Sequence, residues 1–360
     1  MLGTFNCSML DCIKSGSEAC SNVVNHRKEN IEDLLQHLGE GIHDLSEIVF
    51  VGSGTSSTAA ITSKAFVEKV THLKTSVAYP NDFLCNTYVY NPKALYVFTS
   101  QTGTSIVACE ALNFIKEKGY YNVAVSEAAT TKIAKTADSF ISIDCGIEEY
   151  PMRTVGYVAS VLTHMIMGCE LGLKRGTLSQ SDYDSLIEEA SALSGNYLSV
   201  IDQAMDWMNH AKRKMLRSDV IIFTGADSLY GVSLEGAMKV WETPQIPSFG
   251  YEIEEGLHGP NYGYNPRHCV IVLNDGQRED RKCKALAGYM KDVMKNGFLI
   301  GEDSLDDEDF HFTPVTKHFN CIEFAPIVQV ISYRLAEDQG RDLFKHHDNE
   351  VMNSYFKTHS

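Results

Sequence analysis

The chain has 360 residues, 44% hydrophobic and 22% charged, which is enough for two cores and leaves no low-complexity tract. Its 31 Lys and Arg stand against 47 Asp and Glu, a formal charge of −16. That balance argues against a general nucleic-acid binder, because phosphate backbones demand a basic footprint. Any anionic ligand must be gripped by local neutral donors, against the long-range field.

Residues 1–40 are polar and helical in pattern, a lead-in with helices over 9–28 and 31–38. No basic stretch followed by an apolar one opens the chain, so no secretory leader is expected. The ten cysteines are scattered, with no C-x-x-C pair. Reduced core thiols in a cytoplasmic protein, with no metal, are the expectation.

From residue 41 short apolar strands alternate with helices. Ile48-Val49-Phe50-Val51 predicts a strand that runs into Gly52-Ser53-Gly54-Thr55-Ser56-Ser57 and a helix. Leu95-Tyr96-Val97-Phe98 predicts another, ending in Ser100-Gln101-Thr102-Gly103-Thr104-Ser105 before a second helix. Val123–Val125 and 140–143 continue the series. Uninterrupted apolar strands between helices imply a parallel sheet covered on both faces, which we place at 41–180. The apolar stretch 155–173 carries His164 and Glu170 and reads as a buried helix, not a membrane span.

A helical link is predicted over 181–215, after which the pattern restarts. Val220-Ile221-Ile222-Phe223 leads to Gly225 much as 48–51 leads to Gly52, at an offset of 173 residues. A second α/β domain is therefore expected at 216–340, followed by a tail at 341–360. The fold class is α/β, two tandem doubly wound domains, each a parallel sheet flanked by helices.

The two halves differ at their loops. Hydroxyls crowd both post-strand loops of the first, where helix N-termini offer amides to an anion. Their counterparts in the second carry Asp227 and Asp275, which would repel phosphate, so one anion site is expected, in the first half. Ser and Thr also serve as ordinary N-caps, and either loop alone would favour that reading; the pair shifts it to phosphate. Gly52-x-Gly54-x-x-Ser57 lacks the third glycine of a dinucleotide fingerprint, and no acidic residue ends the next strand.

In Leu234-Glu235-Gly236-Ala237-Met238-Lys239-Val240-Trp241-Glu242, three charges share one helical face, Glu235, Lys239 and Glu242. A solvated salt-bridge stripe is the bland alternative, but the adjoining Gly236-Ala237 suggests close packing. Sixteen residues on, His258 sits in Leu257-His258-Gly259-Pro260, on a rigid turn where a core role is improbable. A carboxylate and an imidazole suit proton transfer near neutral pH.

Taken together, Gly54-Thr55-Ser56, Ser100-Gln101-Thr102-Gly103, the L-E-G-A run with Glu242, and Leu257-His258-Gly259-Pro260 resemble the SIS (sugar isomerase) domain family. The likeness is to the isomerase half of glucosamine-6-phosphate synthase and to stand-alone fructosamine-6-phosphate deglycases, from about residue 9 to the end. It implies that Gly54, Thr55, Ser56, Ser100, Gln101, Thr102 and Ser105 grip a sugar phosphate. It implies that Glu242 shifts a proton between C1 and C2, that Lys239 lines the site, and that His258 assists from the neighbouring subunit of a homodimer. Lys357 is the nearest match to a Schiff-base lysine in the tail, without the preceding Pro-Arg. Thr154 ends Pro151-Met152-Arg153-Thr154, which replaces the V-A-S-T run that contacts the sugar.

Two departures bear on activity. Position 2 is Leu2, with no glutaminase domain ahead, so a glutamine-dependent synthase is not expected. Leu257 stands where the synthases carry lysine, which suggests a different C1 or C2 substituent. The resemblance thus implies a cofactor-free deglycase releasing an amine from a 6-phosphorylated fructosamine. The alternatives are an amino-sugar-phosphate isomerase or deaminase and, further off, a non-catalytic sugar-phosphate sensor.

Overall fold

In the computed structural model, residues 7–344 and 349–360 are described. Ten strands build two five-stranded sheets, and every pairing is parallel. The first contains β1 (Glu47–Val51), β2 (Lys74–Ala78), β3 (Ala94–Thr99), β4 (Asn122–Ser126) and β5 (Phe140–Ser142), in the order β2-β1-β3-β4-β5. The second contains β6 (Val220–Gly225), β7 (Ser248–Glu252), β8 (His268–Asn274), β9 (Gly297–Gly301) and β10 (Phe310–His311), in the order β7-β6-β8-β9-β10. The two orders are the same, as a duplicated unit requires. Each reverses direction beside its first strand, where doubly wound sheets lodge their ligands.

Two compact units hold these sheets. One comprises the described residues of Glu18–Ser191 and Phe344–Ser360; the other comprises Cys7–Ser17 and Ala192–Leu343. The helical stretch expected at 181–215 is two helices, Gln180–Ser191 in the first unit and Leu193–Met215 in the second.

In the first unit, alternate side chains of each strand feed opposite layers. Ile48, Phe50, Leu95, Val97, Val123 and Val125 pack with Ala60, Val67, Ala159 and Leu171 on one face. Val49, Val51, Tyr96 and Phe98 pack with Cys109, Leu112, Ile115 and Ile133 on the other. Each fully buried aliphatic contributes about 1.5–3 kcal/mol, and Leu112→Ala would cost about 2–5 kcal/mol. In the second unit Val270, Val272 and Leu299 pack against Cys283, Leu286 and Met290 of the helix Asp280–Asp292.

The helix Val155–Arg175 is long and apolar enough to cross a membrane, yet its apolar window is wholly buried inside the unit. It packs most extensively on the helix Thr55–Thr71. Small residues bring the two together, since Gly172 lets the backbone come within reach of the Val70 carbonyl.

His164, on that long helix, lies fully buried at the centre of the layer. Its Nε2 meets Thr99 Oγ1 at 2.8 Å and its Nδ1 meets Ser63 Oγ at 3.2 Å. Phe50 lies 4.5 Å from its ring centre. Burial pushes the imidazole down to about 3 from the 6.5 of an exposed ring. The folded ring binds its proton more weakly than the unfolded one. Its contribution is therefore whole above pH 6.5 and is lost as pH falls toward 3. Urea titrations between about pH 6.5 and 4.5 should show wild-type stability falling faster than that of His164→Gln, by up to about 1.4 kcal/mol per pH unit. Parallel slopes would refute this account.

Candidate active site

The loops after β1 and β3 stand at the reversal point of the first sheet. After β1 the chain turns through Gly54, at φ 57° and ψ −132°, into the helix Thr55–Thr71. An L side chain is strained in that conformation, which favours glycine. The equivalent residue after β6 is Asp227, at φ 49° and ψ −122°, which a non-glycine residue adopts at a cost of about 1–3 kcal/mol. Neither helix has a side-chain cap, and neither does the helix Ile106–Glu117 behind Ser105. The hydroxyls of the first-half loops are thus not ordinary N-caps.

After β3, the loop is pinned from several directions. Ser100 NH continues the ladder to Val125 O at 3.0 Å, and Gly103 NH turns back to Ser100 O at 3.0 Å. Ser126 Oγ donates to Gln101 O at 2.9 Å, and Thr102 and Thr104 share a hydroxyl bond at 2.9 Å. Gly103, at φ 63°, must be glycine because a Cβ would lie 2.4 Å from Thr131 Cβ. The tail runs against the same loop. Ile106 NH donates to Thr358 O at 3.1 Å, and Ser360 NH donates to Thr104 O at 3.0 Å. Lys357, exposed, precedes this bridge.

A buried carboxylate lies behind the loop. Glu148 Oε1 accepts from Thr154 NH at 2.7 Å, Thr154 Oγ1 at 2.8 Å and Val155 NH at 3.3 Å. Its Oε2 accepts from Gly156 NH at 3.2 Å and Gln101 Nε2 at 3.0 Å. Thr154, expected to touch the sugar, is instead fully buried, and both its donors go to Glu148. Gln101 Oε1 is buried with no hydrogen-bond partner. Glu127, next to the loop, is pushed up by burial, against the pull of Arg153 and Gln101. Sequence reasoning missed Glu127 and Glu148, which occupy irregular segments with no periodicity to mark them.

In the second unit the predicted stripe on the helix Ser228–Glu242 is packed, not solvated. Glu235 and Lys239 are buried, with Lys239 Nζ 3.5 Å from Glu235 and 2.6 Å from Glu242 Oε2. The side chain of Glu242 is 35% exposed, so the lysine holds one oxygen while the carboxylate keeps access to solvent. Gly236 permits the packing, since a Cβ would lie 2.9 Å from Val328 Cβ. His258 stands on an exposed turn before Gly259, at φ 121°. Its Nδ1 lies 2.9 Å from Glu254 O. A carbonyl only accepts, so Nδ1 carries the proton and the neutral ring keeps its lone pair on Nε2. Asp275 is pushed up by burial, and the neighbouring charge of Asp227 adds to the shift. Among the described residues no cluster of His, Cys, Asp and Glu could hold a metal ion.

No family model matches the chain. Over 79% of its length it is 26% identical to the glutamine–fructose-6-phosphate aminotransferase (isomerizing) of Fusobacterium nucleatum, covering 48% of that protein. The chain spans about half the length of the curated relatives it matches. A Clostridium difficile 630 protein, named provisionally a phosphosugar isomerase, superposes with TM-score 0.86 at 21% identity, over 97% of this chain and 98% of that one. The C-terminal domain of glucosamine-fructose-6-phosphate aminotransferase from Francisella tularensis superposes with TM-score 0.85 at 20% identity, over 95% and 99%. The tandem SIS-type α/β fold expected from the motifs is the fold of this chain.

Gly156 offers a direct check on the first-unit geometry. A Cβ there would lie 1.8 Å from Gln101 Oε1, so Gln101 must swing away and leave Glu148 one donor short. Gly-to-Ala in a helix ordinarily gains up to about 1 kcal/mol. Here Gly156→Ala should lose about 1–3 kcal/mol in chemical denaturation. A stabilised variant would show that Gln101 is not held as described.

Proposed function

We propose that this chain is an enzyme acting on a phosphorylated sugar, and specifically a deglycase of 6-phosphorylated fructosamines. The observation that carries the reading is Glu242, a carboxylate with one oxygen fixed 2.6 Å from a buried lysine and the rest of the group open to solvent. Such a group is oriented without being sealed, as a proton shuttle must be.

On this reading the loops Gly54–Ser56 and Ser100–Ser105 bind the phosphate with amides and hydroxyls. That choice suits a chain with no positive field to spare. Glu242 takes a proton from C1 of the open-chain ketosamine, the electron pair moves to the C2 carbonyl, and that oxygen takes up a proton from solvent to give an enaminol. Returning the proton at C2, with the nitrogen releasing its N–H proton to solvent, leaves a C1 imine, which water hydrolyses to the sugar 6-phosphate and a free amine. Lys239 keeps Glu242 in place, and His258 Nε2 assists ring opening by accepting a proton, which it can return to the leaving group. The tail that carries Lys357 runs beside the Ser105 loop, which supports a place for this lysine at the site. Binding energy at the phosphate, remote from the reacting carbons, orients the flexible chain.

The substrate distinction is open to direct assay. The chain should release amine from a 6-phosphorylated fructosamine and leave glucosamine 6-phosphate untouched. Turnover of glucosamine 6-phosphate alone would make it a deaminase or isomerase. Glu242→Gln should lower kcat by about 10²–10⁴-fold while phosphosugar binding persists; retained turnover would sink the assignment of the base.

The partner in this proposal is a second copy of the chain, with His258 serving its neighbour. Trp241, Phe249 and Tyr262 are exposed large apolar groups near Glu242 and His258 in sequence, and β7 is an edge strand. Sedimentation should show a dimer, and mixed Glu242→Gln and His258→Ala chains should regain activity that neither has alone. A monomer, or no regain, would rule this arrangement out.

A further inference from the structure

We infer that Glu148, assigned no role so far, is a positioning residue for the phosphate loop, acting through Gln101. The inference rests on the proposed phosphosugar site. Glu148 is 4% exposed and its carboxylate accepts five hydrogen bonds. Four come from the first turn of the helix Val155–Arg175 and the residue before it, where the unpaired amides and the dipole favour an anion. The fifth comes from Gln101 Nε2 at 3.0 Å, across a separation of 47 residues.

Three features make this bond a fixture. A carboxylate has only acceptors, so Gln101 must present its NH₂ to Glu148, which settles the amide's orientation. Gly156 has no side chain, and only that absence leaves room for Gln101 Oε1. The bond lies inside the protein, where a charge-assisted hydrogen bond is stronger than at the surface. Gln101 follows Ser100 directly and precedes Thr102. Clamping its side chain therefore fixes the two hydroxyl-bearing neighbours in the ligand-free protein.

The arrangement also decides which helix end can take the ligand's phosphate. The N-terminus of Val155–Arg175 already holds the protein's own anion, Glu148. The first amide of Ile106–Glu117 already donates to Thr358 O. A substrate phosphate is thereby directed away from the Val155 helix and toward the loop hydroxyls. Glu148 touches no reacting atom, so its loss should weaken binding and leave the chemical step alone.

The test is a double-mutant cycle on the full chain, with Glu148→Gln, Gln101→Met and the pair. Binding of inorganic phosphate and of fructose 6-phosphate is read by calorimetry, and KM and kcat by turnover. Each single variant should bind fructose 6-phosphate roughly tenfold more weakly and raise KM in proportion, with kcat little changed. The double variant should bind the ligands no more weakly than the weaker single, because the bond between Gln101 and Glu148 is the route both losses share. Additive losses, or wild-type affinity in a folded Glu148→Gln, would overturn the inference and leave the phosphosugar reading standing. If Glu148→Gln does not fold, Gln101→Met decides, since it leaves the helix N-terminus intact: unchanged affinity there overturns the inference equally. A wild type that binds neither ligand would overturn the parent reading, and this inference with it.

Discussion

The strands of a parallel sheet all finish at one end of it, and with both faces covered that end is where helix N-termini offer backbone donors to a ligand. Both five-stranded sheets obey this constraint, with the same order and the same reversal beside the first strand. The strands are predominantly apolar, and the buried His164 of the covering helix is paired with Thr99 and Ser63. The loops at the carboxyl ends of the strands differ between the halves.

Those differences are electrostatic and conformational together. Gly54 and Asp227 occupy the same left-handed position before a helix. In the first unit the position is relaxed and neutral; in the second it is strained and anionic, with Asp275 close enough for their charges to interact. One topology, copied, thus carries different chemistry at the same loop position in its two units. The second unit carries instead the Glu235-Lys239-Glu242 row, in which a buried lysine bridges one hidden and one accessible carboxylate.

Charge is handled locally throughout this acidic chain. Buried carboxylates are satisfied by helix ends and amides, as Glu148 is, or by a buried ammonium, as Asp309 is by Lys291 at 2.8 Å. Burial pushes Glu127 and Asp275 toward their neutral forms. Gln101 Oε1 and Glu127 Oε2, both buried without a hydrogen-bond partner, lie at and beside the loop after β3.

Local pattern alone marked most of the strands, the duplication and the hydroxyl-rich loops; it missed the edge strands β7 and β10 and joined the helices Met9–Lys14 and Gly16–Asn25 into one. Strand hydrophobicity, helical spacing and Gly-rich turns are short-range signals, legible within a dozen residues. The face shared by Glu235, Lys239 and Glu242 was legible for the same reason, since helical spacing fixes it. The tertiary structure decided whether that face is buried, because burial depends on Val328 from a distant helix. It alone revealed Glu148, which meets Gln101 over 47 residues, and it moved Thr154 from a presumed sugar contact to a buried strut. Hydrogen bonds between irregular segments follow from where the fold places them, and no periodicity in the chain records that placement.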